Sequence, residues 1–115
     1  MTMRVLLVED EPLIAMMLED FLDALDKTHA GTADSVASAL PMVEAGGFDA
    51  AILDVNLRGG EKSFAIADAL AERNIPFVFA TGGGGDEIAP IHRERPRLAK
   101  PFTIDGVDKA LSELA

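Results

Sequence analysis

Residues 50 to 53, Ala-Ala-Ile-Leu, carry no polar side chain, and Asp54 follows them directly. A strand with one wet face alternates apolar and polar residues, so a run that cannot alternate is covered on both faces. A parallel sheet with a helix layer on each side supplies that cover. Two other runs share the character and the ending. Val5-Leu6-Leu7-Val8 leads into Glu9-Asp10-Glu11, and Phe77-Val78-Phe79-Ala80 leads into Thr81-Gly82. In open α/β sheets, ligands gather outside the carboxyl ends of the strands. Side by side, these three strands place four carboxylates and a hydroxyl on one edge.

The remaining segments read as support for that edge. After the first strand, Pro12 suits the first turn of a helix, where its missing N–H costs nothing. Leu13-Ile14, Met17-Leu18, Phe21-Leu22 and Leu25 then recur at helical spacing to about Asp26, with Glu19, Asp20, Asp23 and Asp26 opposite. A weaker strand signal covers Thr28 to Ala33. Ser35 suits the N-cap of a second helix to Ala45, closed by Gly46-Gly47. Pro41 inside it predicts a bend, because its ring displaces a backbone hydrogen bond. A third helix is predicted over Lys62 to Arg73, with Phe64, Ala67, Leu70 and Ala71 inward. Gly82 to Gly85 should delay or fray the helix expected next, since each glycine costs roughly 1 kcal/mol relative to alanine. Asp86 to His92 remain to form that helix, and Pro90 interrupts them. Arg97 to Lys100 makes a short last strand, and Thr103 caps a final helix striped by Val107, Ala110, Leu111 and Leu114. Strand and helix alternate five times, which makes the class α/β with a parallel sheet.

Composition narrows the function. A chain of 115 residues, 49% hydrophobic and 26% charged, is sized and balanced for one globular domain. No apolar run nears the ~20 residues that span a bilayer, and the first residues are too short for a signal peptide. The absence of cysteine excludes disulfide and thiolate chemistry and fits a reducing cytoplasm. The net charge of −10 argues against nucleic acid as a direct ligand. Carboxylates crowded at one site suit a hard cation such as Mg²⁺.

Glu9-Asp10, Asp54, Thr81 and Lys100-Pro101-Phe102, in this order and each at a strand's end, resemble the receiver domain of bacterial two-component response regulators. The resemblance covers the whole chain, residues 1–115. It implies a flavodoxin-like (βα)5 fold with sheet order 2-1-3-4-5, strands one and three flanking the topological switch point. It also implies that Asp54 accepts a phosphoryl group from a sensor histidine kinase or a phosphotransfer protein. Mg²⁺ or Mn²⁺ would be held by Asp10, Asp54 and the main-chain carbonyl of Asn56, with Glu9 acting through water. Thr81 and Lys100 would meet phosphoryl oxygens, and a cis bond before Pro101 would turn the lysine inward. Such a protein is a cytoplasmic signalling switch rather than an enzyme. It changes the face of its fourth helix, fifth strand and fifth helix for a downstream protein target or a second copy, with no role for nucleic acid or membrane.

Three features depart from the receiver pattern. Arg97 stands three before the lysine, where receivers carry Tyr or Phe, and the chain has no tyrosine. Phe79-Ala80-Thr81-Gly82 is similar to a subgroup of mostly single-domain receivers with a Phe-Ala-Thr-Gly-x-Tyr signature, which works with HWE/HisKA2-type histidine kinases; here Gly84 replaces the tyrosine. Gly82 to Gly85 lacks the Gly-Lys-Ser/Thr ending of a nucleotide-binding loop and reads as a hinge behind Thr81. Arg93, Arg95 and Arg97 form either a partner-facing basic patch or a solvated loop that keeps the edge strand soluble. Two rival functions stay open. One is a pseudo-receiver that binds partners without phosphorylation. The other is an aspartyl-phosphate phosphohydrolase, which would want an acid where Asn56 stands. The expected output is protein binding or phosphate relay, unless the chain is a piece of a longer regulator.

Overall fold

In the computed structural model, residues 2–81, 88, 90–92 and 95–114 are described. Five parallel strands, β1 (Arg4–Val8), β2 (Thr28–Ala33), β3 (Ala50–Asp54), β4 (Phe77–Thr81) and β5 (Arg97–Ala99), form one sheet in the order β2-β1-β3-β4-β5. Among the described residues four α-helices connect or close them: α1 (Pro12–Ala24), α2 (Val36–Ala45), α3 (Phe64–Glu72) and α4 (Ile104–Leu114). This is the flavodoxin-like arrangement that the receiver resemblance implies, on the parallel α/β class that the strand signals predict.

Burial follows from strand position. Every residue of β3 and β4 is buried, as runs without polar alternation require. Their side chains alternate between two cores. On one face Leu6, Val8, Ala51, Leu53, Phe77 and Phe79 pack with Ala39 and Val43 of α2 and Ile66, Ala67 and Leu70 of α3. On the other, Val5, Leu7, Ile52, Val78 and Ala80 pack with Leu18 and Leu22 of α1 and Val107, Ala110 and Leu111 of α4. Ile66, rather than Phe64 or Ala71, completes the fully buried stripe of α3; the other two are partly buried beside it.

Several boundaries differ from the expected ones for local reasons. Both α1 and α3 stop early in the same motif. Asp26 and Asn74 take left-handed backbone (φ 60° and 57°), and the next residue donates back to the last turn, Lys27 N–H to the Leu22 carbonyl and Ile75 N–H to the Leu70 carbonyl. Helix α3 begins at Phe64 rather than Lys62 because residues 55 to 63 are held in a folded-back connection. Ser35 caps α2 as expected. Its hydroxyl accepts from Ser38 N–H at 3.1 Å, and Ser38 Oγ accepts from Ser35 N–H at 3.1 Å. The helix runs through Pro41 to Ala45. Of the span expected to hold the fourth helix, Pro90–His92 forms a 3₁₀ turn; residues 82–87, 89, 93 and 94 lie outside the described residues.

Phe79 is the hub of the core that packs against α2 and α3. It is fully buried and packs edge-on against Phe64 and Phe77, with ring centres 5.9 and 5.5 Å apart, and against His92 at 5.8 Å. Truncation to alanine removes three ring contacts at once. Phe79→Ala is expected to lower unfolding free energy by about 3–5 kcal/mol, read from the urea midpoint. A loss below about 1 kcal/mol would mean the cluster collapses onto the gap.

Candidate functional site

The ladder registers bring the strand ends to one edge. Val8 pairs with Leu53, Asp54 with Ala80, and Thr81 with Ala99. Lys100 N–H then donates to the Thr81 carbonyl at 3.1 Å, which carries the ladder one step past β5. Glu9, Asp10, Asp54, Thr81 and Lys100 therefore come together as expected. Glu9, Asp54 and Thr81 are buried, Asp10 is half-buried, and Lys100 is the more exposed partner.

Glu9, Asp10 and Asp54 each offer a carboxylate oxygen, and these three oxygens lie within 4.8 Å of one another. Lys100 Nζ donates to Asp54 Oδ2 at 3.0 Å, and the peptide bond between Lys100 and Pro101 is cis. The Asn56 N–H donates to the other carboxylate oxygen, Oδ1, at 3.3 Å. Asp54 thus has a donor on each oxygen. Beside the pair a cleft of about 530 Å³ is lined by Glu11, Ile14, Met17, Lys100, Pro101 and Phe102.

The crowding leaves an electrostatic mark. Burial pushes the Glu9 carboxyl up from 4.5 to about 7; the Glu11 N–H opposes this and the Asp54 charge adds to it. Burial works against the Lys100 charge, but the hydrogen bond and charge of Asp54, with the charges of Glu9 and Glu11, outweigh it and raise its pKa above the usual 10.5.

Residues in the partner-face set fare differently. Arg97 is exposed on β5. Arg95 is half-buried: its guanidinium lies 4.5 Å from the centre of the Phe77 ring, and Nε donates to His92 Nδ1 at 3.2 Å. Gly82 and Arg93 lie outside the described residues. Two pairings were not foreseen. His92, 2% exposed, meets Asp68 Oδ1 at 2.8 Å, and Lys62 donates to the Asn56 side chain. A histidine in a charged, proline-flanked segment reads as surface, and nothing local marks Asp68 as its partner. The signal for Lys62 was the position of Asn56, two beyond Asp54.

The family model of the response regulator receiver domain matches residues 5–111. The chain belongs to the response regulator receiver family. Its fold is similar to the solution structure of SdrG from Sphingomonas melonis Fr1, 67% identical with a TM-score of 0.88 over 98% of this chain and 96% of that one. The BeF3-activated conformation of SdrG from Pseudomonas melonis Fr1 is 68% identical, with a TM-score of 0.83 over 96% and 94%. The phyllosphere-induced regulator PhyR of Methylorubrum extorquens is 30% identical over 117 residues, 98% of this chain but 43% of its own length. The chain thus spans less than half of that curated relative. No helix among the described residues is long and apolar enough to cross a membrane.

Glu9 supplies a pH signature. Its folded pKa, about 7, exceeds the unfolded 4.5, so between these values the folded state holds more protons than the unfolded chain. Stability of the metal-free protein therefore falls as pH rises through that window and levels off above it. The Lys100 contribution is constant there, because its charge is lost only above the usual 10.5. Urea midpoints are expected to drop between about pH 5 and pH 8, and Glu9→Gln to flatten the drop. An equal drop in both proteins would assign the slope to other groups.

Proposed function

We propose that the chain, taken as one receiver domain over residues 1–115, is a phospho-accepting switch of a two-component or phosphorelay system, with Asp54 as the acceptor. The observation that carries this reading is the Lys100–Asp54 contact of 3.0 Å set among three converging carboxylates. A lysine paired with a buried carboxylate explains itself as a structural ion pair. A lysine shared by a carboxylate cluster, at the strand ends of a receiver fold and beside an open cleft, supports a phosphoryl site.

The donor set is all oxygen and anionic, which suits a hard divalent cation better than a softer metal. Asp10 and Asp54 would hold Mg²⁺ or Mn²⁺ with the main-chain carbonyl of Asn56, and Glu9 through water; when bound, the ion neutralises charge on the phosphoryl oxygens. The chain's own residues supply the rest. An Asp54 oxygen forms the new bond to phosphorus as the bond to the donor's histidine nitrogen breaks, and the electron pair returns to the imidazole. Lys100 exchanges its carboxylate partner for a phosphoryl oxygen; before the exchange, the Asp54 contact raises its pKa and favours the charged ammonium. The hydroxyl of the buried Thr81 would meet another such oxygen. Asn56 offers an amide where a phosphohydrolase would want an acid, which favours a switch over turnover of a substrate.

The donor is a sensor histidine kinase, of the HWE/HisKA2 type by the Phe-Ala-Thr-Gly resemblance, or a phosphotransfer protein. That the related SdrG has a BeF3-activated conformation supports a carboxylate acceptor, since beryllofluoride mimics a phosphoryl group on aspartate. Output is protein binding, to a target or a second copy, through the face that carries Arg97 and α4. Intact mass after incubation with Mg²⁺ and acetyl phosphate tests the reading. One phosphoryl adduct is expected in the wild type and none in Asp54→Asn or with chelator present. Lys100→Ala is expected to slow acceptance on the order of 100-fold, the weight of one donor to the developing charge. An unlabelled wild type would leave the pseudo-receiver as the better account.

A further inference from the structure

The 3₁₀ turn Pro90–His92 ends on a buried histidine whose ring packs against Phe77 and Phe79, with centres 5.9 and 5.8 Å apart. The two ring nitrogens reach different parts of the chain. Nδ1 accepts from Arg95 Nε at 3.2 Å, and the Arg95 N–H closes the turn on the His92 carbonyl at 3.1 Å. A guanidinium has no lone pair to offer, so the imidazole hydrogen sits on Nε2. From there it is donated to Asp68 Oδ1 on α3 at 2.8 Å. Arg95 is itself held with its guanidinium 4.5 Å from the centre of the Phe77 ring. One residue further on, the Pro96 carbonyl accepts from Phe79 N–H at 3.2 Å. A continuous set of contacts thus runs from α3 to the backbone of β4, two residues before Thr81. Its two ends are unequal. The Asp68 side chain is 63% exposed, so water can satisfy the carboxylate whether or not His92 is there. The imidazole is buried and loses a partner for its N–H when the bond breaks.

We propose that the His92–Asp68 contact is a latch: it holds the connection between β4 and β5 in its unphosphorylated arrangement and opposes the rearrangement that a phosphoryl group on Asp54 drives through Thr81. The inference rests on the phospho-accepting reading of Asp54. A Thr81 hydroxyl drawn to a phosphoryl oxygen displaces the end of β4. Phe79 lies on the same face of that strand, two residues back, and its ring carries the displacement to His92. The turn follows only by giving up the Asp68 bond, which leaves the imidazole N–H unpaired in the core. Space-filling alone would not need this bond, because a plain aromatic ring packs against Phe77 and Phe79 as well. The latch therefore disfavours the activated arrangement in the free protein, and a phosphoryl group has to outweigh it.

The experiment is an amide NMR titration with beryllofluoride in the presence of Mg²⁺, for wild type, Asp68→Ala, Asp68→Asn, His92→Phe and the Asp68→Ala/His92→Phe double variant. Neither residue belongs to the strand-end site, so a change in apparent affinity reports the conformational equilibrium. Asp68→Ala is expected to tighten beryllofluoride binding roughly fivefold, the weight of one hydrogen bond to a charged group that water partly screens. Asp68→Asn keeps the acceptor and should stay near wild type. In the His92→Phe background, Asp68→Ala should add nothing further. Asp68 lies on the exposed side of α3, so Asp68→Ala carries the test even where His92→Phe unfolds. Before any beryllofluoride is added, α3 and β4 resonances of Asp68→Ala should already be displaced toward their positions in the beryllofluoride-bound wild type. Unchanged or weaker binding by Asp68→Ala, or resonances that move in an unrelated direction, overturns the latch and leaves the pair a structural contact. A wild type with no saturable response overturns the phospho-accepting reading as well, so the wild-type titration tells the two failures apart.

Discussion

Three carboxylates meet at the end of a sheet that cannot let them apart. Their spacing is set by backbone ladders, Val8 against Leu53 and Asp54 against Ala80, and by two apolar cores that fill both faces behind them. Two unit charges about 4 Å apart near a protein surface repel by about 4 kcal/mol, so the arrangement is costly unless cations answer it. Lys100 answers part of the charge at Asp54. Glu9 answers another part by holding its proton up to about pH 7. What is left is a site whose charge is short of balance, and rigid packing preserves that shortfall where a flexible loop would relax it. The proposed divalent ion and phosphoryl group would answer that shortfall, on a scaffold that does not yield.

That rigidity explains why so much was legible in the sequence. Strands buried on both faces cannot alternate, so β1, β3 and β4 announced themselves as runs, and parallel pairing then required their acidic ends to share an edge. The order of Glu9-Asp10, Asp54, Thr81 and Lys100 carried the resemblance to receivers, and the sheet order came from that resemblance. Helix ends were harder to read. The left-handed residues that stop α1 and α3 are Asp26 and Asn74 rather than glycine, and only the backbone shows their return bonds to Leu22 and Leu70. The start of α3 was misjudged because bonds from Leu57 to Glu61 and from Ser63 to Val55 compete with helix for the same backbone. These bonds join residues whose types carry no strong turn signal.

The basic residues were the least legible part, since a charged side chain in a short connection reads as solvated whatever it touches. Arg95 lies against the Phe77 ring with part of its surface covered, whereas Arg97, two residues on, is exposed at the edge of the sheet. Alternation cannot tell them apart, because residues two apart in a strand share a face; Arg95 lies in the bend before Pro96, and Arg97 opens β5.

The same region shows how this receiver fills space with an arginine, Arg97, three before the lysine. Arg97 pairs with Phe79 in the ladder but is exposed, so it contributes no ring to the core. The ring that packs on Phe77 and Phe79 comes instead from His92, at 5.9 and 5.8 Å. Its Nδ1 accepts from Arg95 Nε, so the hydrogen sits on Nε2 and is donated to Asp68 on α3. A phenylalanine there would pack equally well and be free to rotate; a histidine with both nitrogens engaged is not. The segment between β4 and β5 is therefore tied to α3 by directional bonds at a point two residues along the strand from Thr81. Any rearrangement that begins at Thr81 and moves Phe79 has to work against that tether.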